Sequence, residues 1–161
     1  SGKTIELIDT YAEGRLILAD GLSYLIQNFK PDTIIDFATL TGSAVGTFGY
    51  ECAALFSKNE ELSKRLQQSG EFIGERLWPL PMWDEYKTEM DSEIADIKNY
   101  HGKPFAGAIT AAKFLEFFTE NHPSWAHIDI AGTAFGDSEF AKTKHATAYG
   151  VHLLIKLIEN L

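Results

Sequence analysis

Apolar and polar positions change period several times along the 161 residues, and each change marks an element. "KTIELID" (3–9) alternates as a short strand does. From Ala12 onward Leu18, Leu22, Leu25 and Phe29 recur at helical spacing, predicting an amphipathic helix that ends near Lys30–Pro31. "TIIDFAT" (33–39) is β-branched and almost wholly apolar, the composition of a strand covered on both faces. "LTGSAVG" (40–46) reads as a loop, and "CAALFS" (52–57) as a second strand of this kind. Asn59 is placed to cap a helix carrying Leu62, Leu66 and Ile73 on one face. The proline-punctuated "WPLPMWDEY" (78–86) predicts irregular chain with a short helix after it. In "AGAITAAKFLEFFTE" the charges Lys113, Glu116 and Glu120 share one narrow stripe, so this helix should be largely buried. "WAHIDIAG" (125–132) is a third strand, and "TAYGVHLLIKLIENL" a closing amphipathic helix.

Strands alternating with helices predict an α/β fold, layered α/β/α around a mainly parallel central sheet. No internal repeat or linker divides residues 1–161, so one unit is expected. The first residue is Ser1 and the sequence opens directly into a strand pattern, so the chain reads as a piece of a longer protein with an incomplete sheet. In such sheets ligands gather at the carboxyl ends of strands, here the loops after Ile8 and Ala38.

Composition narrows the functions. With 23 acidic against 14 basic residues the formal charge is −9, which disfavours a nucleic-acid partner. The longest uncharged run, "FATLTGSAVGTFGY", is too rich in glycine and threonine for a membrane span, and no signal peptide is recognisable. A lone Cys52 cannot form an internal disulfide. Together these lead us to expect a cytoplasmic protein.

Several motifs carry little chemistry. "SGKT" (1–4) matches only the tail of a phosphate-binding loop and is followed by a strand pattern rather than a helix. His127 and Asp129 share a strand face, but no second ligand pair stands at metal spacing, so they read as groups satisfying neighbouring backbone. Ser43 lies outside a nucleophile-elbow frame, and Cys52 has no histidine nearby in sequence. "DTYAEGRLILAD" (9–20) is stronger. In extended chain Asp9, Tyr11, Glu13 and Arg15 would point one way, placing carboxylates and a guanidinium on a strand-to-helix loop. Carboxylates suit hard divalent cations, and arginine suits an anion beside them; a solvated polar helix start is the plainer alternative.

"DTYAEGRLILADGL", "IIDFATLTGSAVGTFG", "NYHGKPFAGAITAAKFL" and "WAHIDIAGTAF" occur in that order over nearly the whole chain. Together they resemble the carboxyl-terminal half of the catalytic domain of the leucyl (cytosol) aminopeptidase family. The resemblance implies a peptidase with two zinc or manganese ions that removes N-terminal residues such as leucine from peptides. It implies that Glu13 bridges the metals, that Arg15 holds a bicarbonate ion serving as general base, and that Thr39, Leu40 and Gly42 line the substrate's N-terminal subsite. Family members assemble as hexamers, and a homo-hexamer is implied for the full-length protein.

Two departures qualify this. The family takes a lysine and further aspartates from sequence upstream of its N-T-D-A-E-G-R-L signature, so this chain would hold about half of a dinuclear site. Tyr11 also stands where the signature has aspartate, and Asp9 where it has asparagine. A phenol is a poor ligand for a hard cation. Ala148 likewise occupies a position where the family has glycine. An impaired enzyme of the same fold, and an unrelated α/β ligand-binding domain, are the alternatives.

Overall fold

The computed structural model describes residues 1–138 and 141–159. After the two-residue strand β1 (Ile5–Glu6), a turn leads into α1 (Gly14–Phe29). Lys30, in the left-handed region at φ 47°, ends that helix ahead of Pro31. Then come β2 (Ile34–Ala38), α2 (Gly42–Phe48), β3 (Ala53–Phe56), α3 (Glu60–Ile73) and β4 (Leu77–Pro79). A 3₁₀ helix (Asp84–Met90) precedes β5 (Ile97–Lys98), α4 (Gly107–Phe117) and β6 (Trp125–Asp129). The hairpin β7 (Phe135–Ser138) and β8 (Ala141–Ala146) and the helix α5 (Val151–Glu159) close the fold.

The main sheet has the order β2-β6-β3-β4. β2 and β6 are parallel, as are β3 and β4, while β3 and β6 run antiparallel. The fold is therefore mixed α/β, and two of these three pairings are parallel. β1 and β5 form a separate parallel pair, register Ile5 to Ile97.

Alternation along β3 separates two apolar cores, because successive strand side chains leave opposite faces. Ala54 and Phe56 pack with Ala19 and Leu22 of α1 and Phe114 of α4. Ala53 and Leu55 pack with Leu62 and Leu66 of α3 and Leu153 and Leu157 of α5. Helices thus cover both faces of the sheet, as its wholly buried strand β3 requires.

Most elements lie where the hydrophobic pattern puts them. Asn59 caps α3, its Oδ1 accepting from the Leu62 amide at 2.9 Å, and α4 is buried along most of its length. Three expectations fail. "LTGSAVG" is not a loop: Thr41 accepts from the Ala44 amide at 3.0 Å and starts α2. The strand at 3–9 shrinks to two residues, and β5, β4 and the β7–β8 hairpin have too few apolar alternations to announce themselves. Lys113 does not sit on a solvated stripe. It is buried, its ammonium held by Glu116, by Asp84 at 3.2 Å and by the Met82 carbonyl at 3.4 Å.

Candidate functional site

The loops following β1 and β2 meet in one open cleft of about 580 Å³. Asp9, Tyr11, Ala12 and Arg15 form one wall, residues 40–43 with Gly46 and Thr47 a second, and Tyr100 with residues 103–107 a third.

The first wall is a turn. Ala12 donates its amide to the Asp9 carbonyl at 3.3 Å, and the Tyr11 amide donates to Asp9 Oδ1 at 2.8 Å. Glu13 already has helical angles (φ −81°, ψ −34°). Asp9, Tyr11 and Arg15 still line the cleft together, but Glu13 does not, so the four do not all share one side as an extended chain would require. Tyr11 is 92% exposed and Glu13 is exposed, whereas Arg15 is buried at 5%. Turn and helix rotate alternate side chains apart.

Asn99, fully buried just after β5, clamps this turn. Its Oδ1 accepts from the amides of Ile8 at 2.8 Å and Asp9 at 3.3 Å. Its Nδ2 donates to the carbonyls of Asp9 at 2.6 Å and Ala12 at 3.3 Å. The Asn99 carbonyl also accepts from Arg15 Nη1 at 2.8 Å. Arg15 Nε is buried without a partner among the described residues, a donor available to an anion. Burial pushes the guanidinium pKa down, opposed by the charge of Asp129 and then by Tyr100, Asp9 and Glu13.

The second wall is the start of α2. Leu40 and Gly42 line the cleft together with Thr41, while Thr39 is exposed and lies outside the lining. Asp129, at the carboxyl end of β6, reaches across to hold this segment. Its Oδ1 accepts from the Leu40 amide at 3.0 Å and its Oδ2 from the Thr41 hydroxyl at 2.7 Å.

The third wall is fixed by His101, whose Nε2 bonds the Phe105 carbonyl at 2.8 Å and whose Nδ1 bonds the Thr110 hydroxyl at 3.1 Å. Of the residues expected at the site, Arg15, Leu40 and Gly42 come together in the cleft, whereas Glu13 and Thr39 do not line it. Asn99, His101 and Asp129 position the walls. All three fall inside the stretches "NYHGKPFAGAITAAKFL" and "WAHIDIAGTAF", whose resemblance assigned them no role. His127 meets a side chain rather than the backbone expected of it: its Nδ1 bonds Asp36 Oδ1 at 2.5 Å.

Among the described residues no group of three or more His, Cys, Asp or Glu could hold a metal ion, and no helix is long and apolar enough to cross a membrane.

The family model for the catalytic domain of the cytosol aminopeptidase family matches residues 1–155. A probable cytosol aminopeptidase of Chlorobaculum parvum is 51% identical over 160 residues, covering 99% of this chain and 32% of its own length. That of Syntrophotalea carbinolica is 52% identical over 161 residues, again covering 32% of the relative. A solved tomato leucine aminopeptidase mutant superposes with a TM-score of 0.91 at 41% identity, covering 99% of this chain and 31% of that one. The chain thus spans about a third of the length of the relatives it matches. By its sequence over nearly every residue and by the course of its backbone, the chain belongs to the cytosol aminopeptidase family.

Proposed function

We propose that residues 1–161 form the carboxyl-terminal part of the catalytic domain of a two-metal aminopeptidase, which removes N-terminal residues such as leucine from peptides. The observation that carries this reading is the convergence of Arg15, Leu40 and Gly42 on one cleft, in a chain of this family. An open cleft walled by Leu40, Tyr100 and Phe105 suits an apolar N-terminal side chain.

The donors of this chain fit one wall of a dinuclear site rather than a whole one. Asp9 is a hard carboxylate in the cleft and Glu13 one at the start of α1 just outside its lining, whereas Tyr11 lines the cleft as an exposed phenol. In this reading Glu13 is the chain's metal ligand, and the remaining ligands come from sequence outside residues 1–161. When bound, two zinc or manganese ions supply Lewis acidity at the scissile carbonyl and acidify water. Arg15 holds a bicarbonate ion through its free Nε, remaining charged at any working pH, and Thr39, Leu40 and Gly42 receive the substrate's first residue. We further propose a cytoplasmic homo-hexamer for the full-length protein, and that residues 1–161 alone neither hold two metals tightly nor cleave peptides.

Hydrolysis of leucyl-p-nitroanilide by the full-length protein, with and without a chelator, tests this. Chelator-sensitive cleavage of the free-amine substrate, and none of its N-acetyl form, is expected. Absence of cleavage with zinc and with manganese overturns it. The exposed Tyr11 favours a second reading, an enzyme of this fold with one metal position impaired. Parent and Tyr11→Asp proteins that cleave leucyl substrates equally well would refute that reading.

A further inference from the structure

We propose that Asp129 is a positioning residue for substrate: it holds the Leu40–Gly42 segment in the conformation that receives the peptide's N-terminal residue. This rests on the aminopeptidase reading of the cleft. Asp129 lies at the end of β6, only 1% exposed, and every hydrogen bond its carboxylate makes is to loop chain. Oδ1 accepts from Leu40 N at 3.0 Å and from Ala131 N at 3.1 Å, while Oδ2 accepts from Thr41 Oγ1 at 2.7 Å.

The Thr41 hydroxyl donates to Asp129 and in the same geometry accepts from Ala44 N at 3.0 Å. One carboxylate therefore sets both the last extended residue before α2 and the first turn of that helix. A buried carboxylate is costly unless several donors meet it, and here three do. A plain β6-to-loop connection would need only the Ile130 amide on the Ala38 carbonyl, at 2.8 Å, which is also present. The extra carboxylate bonds act on Leu40 and Thr41, both of which line the cleft. The charge of Asp129 also offsets part of the burial cost of Arg15 in the facing wall.

The test uses the full-length protein, with steady-state kinetics on leucyl-p-nitroanilide and hydrogen exchange at Leu40 and Ala44. Asp129→Ala is expected to raise KM about 10-fold, the equivalent of one or two hydrogen bonds, with a smaller change in kcat. Exchange at Leu40 and Ala44 should quicken by a similar factor. Asp129→Asn keeps an acceptor for the Leu40 and Ala131 amides, so it should restore KM to within about 3-fold. Leu66→Ala, in the core beneath α3, serves as a destabilised control whose KM should be unchanged. An unchanged KM in Asp129→Ala, or an equal rise in Leu66→Ala, overturns the proposal. If Asp129→Ala does not fold, Thr41→Val decides: it removes the Oδ2 bond and the Ala44 cap that depends on the same hydroxyl, leaves the Leu40 bond in place, and should raise KM with quickened exchange at Ala44. If the unsubstituted protein cleaves no leucyl substrate, the aminopeptidase reading fails by itself. Exchange then decides the clamp: quickening confined to residues 39–44 supports it, and no quickening overturns it.

Discussion

Replacing Asn99 by alanine should loosen the Asp9–Ala12 turn and leave the sheet untouched. The side chain makes two short hydrogen bonds, 2.8 Å to the Ile8 amide and 2.6 Å to the Asp9 carbonyl, and two long ones of 3.3 Å. At about 1 kcal/mol net for each short bond, and a fraction of that for each long one, the turn loses about 2–3 kcal/mol. Water can re-satisfy part of the exposed loop, which keeps the figure below the full desolvation cost. In local opening this amounts to about 30- to 150-fold faster amide exchange at Ile8 and Asp9. Exchange measured by mass spectrometry across residues 5–16, read against α3 and α5 as internal reference, gives the number. Asn99→Asp should be as damaging, because it keeps the acceptor for the two amides but turns an oxygen toward the two carbonyls. Exchange at Ile8 and Asp9 unchanged within about 3-fold would refute the clamp, since a single lost hydrogen bond exceeds that. So would acceleration spread evenly through α5, which would mark global destabilisation.

Other expectations concern stability and charge. Ala148 sits in the left-handed region at φ 57°, where an L residue is strained by about 1–2 kcal/mol; Ala148→Gly should net about 0.5–1 kcal/mol of stability after its unfolded-state entropy, seen as a higher urea midpoint. Gly132→Ala should do the reverse, since its new Cβ would come within 2.2 Å of the Gly49 carbonyl oxygen, and lower expression with a lower melting point would report it. Asp84, bonded to Lys58 at 2.9 Å and to Lys113, is held at a pKa of about 2, below its ordinary 3.8. A depressed carboxylate contributes stability above its unfolded pKa and loses it as pH falls through the folded one. Urea midpoints should therefore drop between pH 4 and 2, less steeply in Asp84→Asn and less steeply in high salt, because the group is exposed.

The helices and long strands were legible because burial imposes a period. β2, β3 and β6 read as apolar runs, and α3 announced its start through Asn59; the structure ends it at Gly74, φ 84°. What escaped was set by a few polar contacts between distant residues. α2 looks like a loop by composition, because four of its seven residues are glycine, serine or threonine, and it exists by virtue of the Thr41 cap and the Asp129 bonds to Leu40 and Thr41. β1 and β5 are two residues each and hold register through partners some ninety positions away, a pairing no local window contains. The same holds for Asn99, whose four side-chain bonds all reach back 87–91 positions.

The segment "DTYAEGR" shows why a period alone misplaces a site. Alternation placed its four polar side chains together only under the assumption of extended chain. The bond from the Ala12 amide to the Asp9 carbonyl closes a turn instead, and helical angles begin at Glu13. Tyr11 and Glu13 are thereby sent outward, and Arg15 inward against the Asn99 carbonyl. One stretch thus serves two surfaces: a buried guanidinium and an exposed phenol both line the cleft of this chain, while the exposed Glu13 carboxylate lies outside that lining. If Glu13 is to hold a metal, its remaining ligands must approach from that exposed side. That is where the two-thirds of the relatives' length not matched by this chain has room to supply them. Tyr11, two residues before it and 92% exposed, is then a group that the rest of the full-length chain must either accommodate or be blocked by. For this reason Tyr11→Asp should alter metal occupancy of the full-length protein while leaving the exchange rates of the Asn99-clamped turn as they are.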